Sequence, residues 1–268
     1  MGIGDDGAIN RNCAWPCRID STVRVGRLEI LSVLACVETK LVECGSMPDL
    51  SARRPLKSRS ASWAQIASKK LLQLGATPNQ VSVASTLCAL GVPVFLFGNF
   101  VPTWVAWIGA LVCIQLRLVC NLMDGMLAVE GGLKTANGDI FNEFPNRLSD
   151  AVILVSLGYA GGDAWSQPLG WLAACGALTT ACVRMHGASL TGVHDFQGPQ
   201  AKPHRMALAT GACLLMAVLS VVGHPLPVIR WTLGVMVVGI AVTVINRLRT
   251  LSARLVERSQ RATGTDSD

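Results

Sequence analysis

Charge is scarce in this chain. Asp, Glu, Lys and Arg make up 15% of its 268 residues, where soluble domains carry about a quarter. So few charges, with half of the chain apolar, point away from a water-dissolved domain and toward one embedded in a bilayer. Metal-type cysteine spacing is missing too. Of ten cysteines, Cys88, Cys113, Cys120, Cys175, Cys182 and Cys213 lie inside apolar runs, where a free thiol acts as a small hydrophobe. "CAWPC" at Cys13–Cys17 has neither the spacing nor the partners of a zinc site. His186, His194 and His204 show no ligand spacing. The basic residues border apolar runs without a nucleic-acid-binding motif, so no nucleic-acid partner is expected. No internal repeat or pair of interrupted helices suggests a transporter.

The chain does have apolar runs of the length needed to cross a bilayer, roughly 17–25 residues. They fall near 80–99, 103–122, 147–162, 167–185, 206–223 and 227–246. The loops "GNFVPT", "GYAGGDAWSQP" and "GHPLP" hold no Lys or Arg, whereas the alternate connections and the segment before the first run are basic. Arg230 is the exception, placed where it can snorkel. This asymmetry predicts six spans in the inner membrane with both termini cytoplasmic. The expected fold is all-α: a polytopic membrane protein of six transmembrane helices preceded by a juxtamembrane amphipathic helix.

Four segments follow. Residues 1–54 lack sustained periodicity and read as an extension, disordered or mis-started, with Met47 an alternative beginning. Residues 55–76 place Trp63, Ile66, Ala67, Leu71 and Leu74 at helical spacing between basic residues, as in a helix lying along the inner leaflet. Residues 77–250 form the six-span domain, and 251–268 a basic cytoplasmic tail.

Polar residues inside a membrane are costly and mark functional positions. On the second span, Arg117, Asn121 and Asp124 share one helical face. If the third helix begins near Asn142, then Asn142, Asn146 and Asp150 share a face, Pro145 sits in the first turn, and Asn142 could serve as cap. The short connection "GGLKTANG" makes these two helices antiparallel neighbours with oxygen donors facing each other. Hard oxygen donors of this kind suit Mg²⁺ or Mn²⁺ bridging to substrate phosphates.

These residues carry a resemblance. CDP-alcohol phosphotransferases share the pattern D-x2-D-G-x2-A-R-x8-G-x3-D-x3-D. Here it reads Asn121-x2-Asp124-Gly125-x2-Ala128-Val129-x8-Gly138-x3-Asn142-x3-Asn146, with every spacing kept. "TPN" at Thr77–Asn79 is similar to the family as well. The resemblance implies an enzyme that moves a phosphatidyl or other substituted phosphate group from a CDP-linked donor, CDP-diacylglycerol foremost, to an alcohol acceptor with release of CMP. It further implies a homodimer, and metal ions held at Asn121, Asp124, Asn142 and Asn146. Gly125, Ala128 and Gly138 would leave room for the nucleotide, and Lys202 and Arg205 would contact phosphate; by helical spacing, Arg117 one turn before Asn121 could replace the missing arginine as a phosphate contact.

Three of the family's four aspartates are asparagine in this chain, and its arginine is Val129. An amide at Asn146 cannot act as a base. Asp150 and Glu143, with Asp139, are the nearby carboxylates that could compensate. The alternative is a catalytically degenerate protein that binds a CDP-lipid or a partner membrane protein.

Overall fold

Thr77 opens the main helical bundle with a reciprocal cap. Gln80 N donates to Thr77 Oγ1 at 3.3 Å and Thr77 N donates to Gln80 Oε1 at 3.0 Å, with Pro78 filling the first helical position. The computed structural model of the protein describes residues 61–133, 138–224 and 226–264. The expectations for residues 1–54 lie outside them. Among the described residues there are seven helices and no strand: α1 Ser62–Gln73, α2 Pro78–Phe97, α3 Thr103–Glu130, α4 Gly138–Ala160, α5 Ser166–Thr191, α6 Lys202–Val222 and α7 Val228–Gly264.

Four helices are long and apolar enough to cross a membrane: Pro78–Phe97, Thr103–Val129, Lys202–Val222 and Val228–Arg261. α4 and α5, at 23 and 26 residues, have the length but carry more polar side chains. Outward-facing Trp104, Leu116, Leu214, Leu215, Val235 and Val238 are exposed, an apolar coat suited to lipid contact. α3 runs for 28 residues, about 42 Å at helical rise. It therefore overshoots a ~30 Å hydrocarbon layer and carries the segment from Asn121 onward to the polar edge. α7 also continues past its apolar part, so residues 251–264 prolong that helix.

The helices close into a ring in the order α3, α2, α4, α5, α7, α6 and back to α3. Ala89, Ile114, Leu154, Ala177, Met206 and Met236 fill its centre. α1 lies against α3, burying Ala64 and Ser68 and packing Ala67 and Leu71 beside Met126 and Leu127. Trp63, Ile66 and Leu74 stay exposed, so only part of the predicted apolar stripe is covered by the bundle and the rest is free for the interface.

Two local expectations change. α4 begins at Gly138, one turn before Asn142. Asn142 therefore does not cap the helix, and Pro145 sits two turns inside it. Pro145 removes one backbone donor there, a cost reduced because this end of α4 is only half-buried from Asn142 to Asn146, apart from the exposed Phe144. Second, α3 and α4 make few direct contacts, because α2 packs against both. The stripe Ser82, Ser85, Ala89 and Val92 is buried on α2, and its first three, small side chains let α2 come close to both neighbours. What joins α3 to α4 is a long side chain, described below.

α4 crosses α5 at a glycine pair. A Cβ on Gly158 would lie 2.9 Å from Gly170 Cα, and one on Gly170 would lie 2.8 Å from Gly158 Cα. Backbone-to-backbone approach of this kind is how membrane helices pack tightly. Gly158→Ala or Gly170→Ala should lower stability by about 1–3 kcal/mol, seen as a lower melting temperature in detergent. Gly211→Ala, where a Cβ meets nothing within 4 Å, should be neutral or slightly stabilising. Equal melting temperatures for all three would discount the crossing.

Candidate functional site

The connection from α5 to α6 is held down by α7, and this sets where the first residues of α6 point. Gln200 N donates to Thr243 Oγ1 at 3.0 Å. Arg247, buried, donates to Gln197 O at 2.9 Å and to Thr180 O at 2.8 Å. Gly198, at φ 126°, lies so close to Thr243 that a Cβ would meet its side chain at 2.3 Å. A loop tied at these points delivers Lys202 and Arg205 into the bundle as α6 begins.

Asp150 receives them. Its Oδ1 accepts from Arg117 Nη2 at 2.5 Å and its Oδ2 from Arg205 Nη2 at 3.5 Å. Arg117 is 0% exposed, Arg205 3% and Asp150 6%. Arg205 also donates to Gln200 O at 2.7 Å and to Thr180 Oγ1 at 3.4 Å. One carboxylate thus ties α3, α4 and α6 together at the end of the bundle where the motif lies.

Asn146, one turn before Asp150, is equally engaged. Its Oδ1 accepts from Arg117 Nη2 at 3.2 Å and from Lys202 Nζ at 3.1 Å. Its Nδ2 donates to the backbone oxygen of Asn142 at 2.8 Å and to Asn142 Oδ1 at 2.7 Å. Arginine and lysine only donate, and a backbone carbonyl only accepts, so the amide orientation follows from its partners. An aspartate here would keep the two cations and lose both bonds to Asn142.

Asp124 is buried on α3 and accepts from Ser82 Oγ of α2 at 2.6 Å. Ser85 Oγ donates to the Arg117 backbone oxygen at 3.2 Å, a second α2 contact to the same face. Asn121 is half-buried one turn earlier, Gly125 is buried, and Ala128 and Gly138 are half-buried. Glu143 stands apart from Asp150. It is held by Arg184 of α5 at 2.8 Å and by Arg147 at 3.1 Å, and 35% of its side chain remains exposed. Arg184 lies over the Phe196 ring at 5.5 Å. The side chain of Asp139 lies outside the described residues.

The structure therefore brings together Arg117, Asn142, Asn146, Asp150, Lys202 and Arg205 from the predicted set. Ser85, Thr180, Gln200 and Arg247 support them, Ser82 supports Asp124 and Arg184 supports Glu143, and none of the six is in the predicted set. Arg184 was visible as a cation at the end of an apolar run. Arg247 lies where a membrane-flanking charge is expected, but it is buried and braces the loop. The two serines carry no signal beyond being small.

The Asn142–Asn146 half of the predicted metal set does not suit Mg²⁺ or Mn²⁺. Among the described residues, no group of three or more His, Cys, Asp or Glu side chains is placed to hold a metal ion. An ion on Asn146 Oδ1 would sit about 2 Å from that oxygen, and so roughly 4–5 Å from the nitrogens of Arg117 and Lys202. At an effective dielectric of ~20, each such contact repels a divalent ion by on the order of 7 kcal/mol. Asn142 Oδ1 is already an acceptor, and neither amide contributes negative charge.

No family model matches the chain, and no curated protein matches it. Solved structures do match in fold. Two are of phosphatidylinositol phosphate synthase (PgsA1) from Mycobacterium tuberculosis. One, in complex with manganese and citrate, gives a TM-score of 0.57 at 18% identity over 70% of this chain and 88% of that one. The other, with CDP-DAG bound, gives 0.58 at 17% identity over 71% and 94%. The chain thus shares the helical framework of a CDP-alcohol phosphotransferase, the family that the motif spacing resembles.

Removing one partner of a buried ion pair leaves the other charge without compensation. Asp150→Ala should cost about 3–5 kcal/mol, measured as loss of melting temperature or of monodisperse protein. The double variant Arg117→Met with Asp150→Leu should recover part of that loss, since Arg205 alone is then left without its carboxylate. A double variant no more stable than Asp150→Ala would show that the bridge does not couple α3 to α4.

Proposed function

We propose that this chain is a divergent CDP-alcohol phosphotransferase that holds a CDP-linked lipid, CDP-diacylglycerol foremost, and transfers its phosphatidyl group to an alcohol acceptor. One observation carries the proposal. Arg117, Lys202 and Arg205 converge on the motif residue Asn146 and on Asp150 one turn beyond it, in a framework shared with a synthase solved with CDP-DAG bound. In the proposed arrangement six helices span the inner membrane, both termini are cytoplasmic, and the site opens to cytosol and lipid together. The family's homodimer is part of the same proposal.

The chemistry is a displacement at phosphorus. The acceptor oxygen forms a bond to the phosphorus distal to cytidine, the bond from that phosphorus to the bridging oxygen breaks, and CMP leaves with the electron pair. Charge neutralisation and alignment supply most of the rate in such transfers. Arg117, Lys202 and Arg205 neutralise phosphate oxygens. Asp124, Gly125 and Ala128 border the nucleotide along the end of α3. The acceptor proton goes to Glu143 in this scheme, because each carboxylate is paired with two guanidinium groups but Asp150 is buried while Glu143 keeps an open edge.

A second reading rests on one observation: Asn146 stands where the family pattern has its base, and an amide accepts no proton near neutral pH. The chain would then bind the CDP-lipid without turning it over.

CMP release by the purified protein in detergent separates the two. The assay supplies CDP-diacylglycerol with glycerol phosphate, inositol phosphate, inositol, serine or choline. We expect acceptor-dependent CMP that disappears in Asp124→Ala, and full activity in that variant would overturn the site. Protection of the protein by CDP-diacylglycerol without any CMP would favour the binding reading. Glu143→Gln is expected to slow turnover ~100-fold, the range of general-base contributions, with donor affinity preserved. An unchanged rate would remove Glu143 from the proton path.

A further inference from the structure

The hydrogen-bonded cluster around Asn146 and Asp150 is electrostatically lopsided. Arg117, Lys202 and Arg205 bring three positive charges, and among the described residues the carboxylate bonded to Arg117 and Arg205 is Asp150. The neighbouring Glu143 is itself paired with two arginines, Arg147 and Arg184, so it supplies no surplus of negative charge. A buried excess of two positive charges is costly when nothing answers it. Donors are also left over: among the described residues, Arg117 Nε and Nη1 and Arg205 Nε are buried without a hydrogen-bond partner. A lysine ammonium has three protons to give, and among the described residues Lys202 gives one, to Asn146.

We propose that this site takes a pyrophosphate diester directly on Arg117, Lys202 and Arg205, with no divalent metal ion between ligand and protein. A pyrophosphate diester carries two negative charges, equal to the excess of the cluster. The cations occupy the oxygen on which a metal would rest, since Asn146 Oδ1 accepts from both Arg117 and Lys202. Asparagine at this position is consistent with that arrangement. It accepts from the cations without cancelling their charge, and its amide anchors to Asn142. In the family pattern, aspartates hold metal ions that in turn hold the phosphates. Here the intermediate layer is absent and the protein's own cations face the ligand. Guanidinium groups are suited to this, being planar, permanently charged and able to bond two oxygens at once.

This inference rests on the CDP-lipid reading above, and its test is arranged so that each can fail alone. The full-length protein in detergent is stripped with EDTA. Binding of CDP-diacylglycerol and of inorganic pyrophosphate is then measured by calorimetry in EDTA and in Mg²⁺ or Mn²⁺, with Mn²⁺ occupancy followed by electron paramagnetic resonance. The expected result is CDP-diacylglycerol affinity in EDTA within about threefold of that with metal, and no stoichiometric Mn²⁺ on the protein. Lys202→Gln should weaken metal-free binding at least tenfold, while Arg249→Gln, an exposed position on α7, should leave it unchanged. Asn146→Asp, which halves the excess charge and removes no cation, should also weaken it. That variant keeps the inference falsifiable if Lys202→Gln fails to fold. Binding of either ligand only with metal, or with one or more retained Mn²⁺, would overturn the inference and leave the CDP-lipid reading standing. Pyrophosphate binding in EDTA with no binding of CDP-diacylglycerol would do the reverse. Absence of both would overturn both.

Discussion

Asp150 with its two arginines is the interaction on which the arrangement of this end of the bundle depends. Arg117 comes from α3 and Arg205 from α6, and the carboxylate that holds them is on α4. α3 and α4 touch little along their lengths because α2 lies between them, so a guanidinium reaching from α3 is the main link between the two halves of the motif. In a low-dielectric interior such a link carries a strict condition. Each charge is tolerable only while the others stay in place, and the three helices are held in one register by that requirement.

The cations then have to be positioned, and residues with no part in the chemistry do this. Arg247 and Thr243 on α7 hold the α5–α6 loop through its backbone, and Gly198 provides the conformation and clearance that let the loop lie there. Gln200 binds Arg205 through its carbonyl oxygen and α7 through its N–H. Lys202 and Arg205 therefore point inward because a loop is fastened at both edges, although they also sit where a membrane-flanking charge belongs. A single basic pair serves topology and site together.

The replacement of aspartate by asparagine changes what the motif can hold while keeping its geometry. Asn142 and Asn146 remain one helical turn apart and face the bundle, as the pattern requires, but they bond to each other and to Arg117 and Lys202. An amide can both donate and accept, so it can link a carbonyl on one side to a cation on the other. A carboxylate would lack the donor and would add charge that attracts a metal. Asp124, where the aspartate is kept, is the position whose local partner is a hydroxyl, Ser82.

Much of this was legible from order along the chain. The scarcity of charge and the long apolar runs predicted a helical membrane protein, and four helices have the length and apolarity for it. Motif spacing brought out the family fold, and helical periodicity put Arg117 and Asp124 on one face, because both signals are local and repeat with the helix. The start of α4 was misjudged because Pro145 and Asn142 look like a helix beginning, and half-exposure lets the helix carry an internal proline. The wedge of α2 between α3 and α4, the burial of Arg247 and the ion pairs of Glu143 with Arg184 and of Asp150 with Arg205 could not be read in the same way. They depend on which faces meet across gaps of tens of residues, and one-dimensional spacing does not encode those pairings. Local order along the chain sets the helices, the polar residues and their faces. That the cations turn inward onto two small polar side chains follows from the packed bundle, since burial joins residues 117, 150 and 205 through contacts that no local pattern specifies.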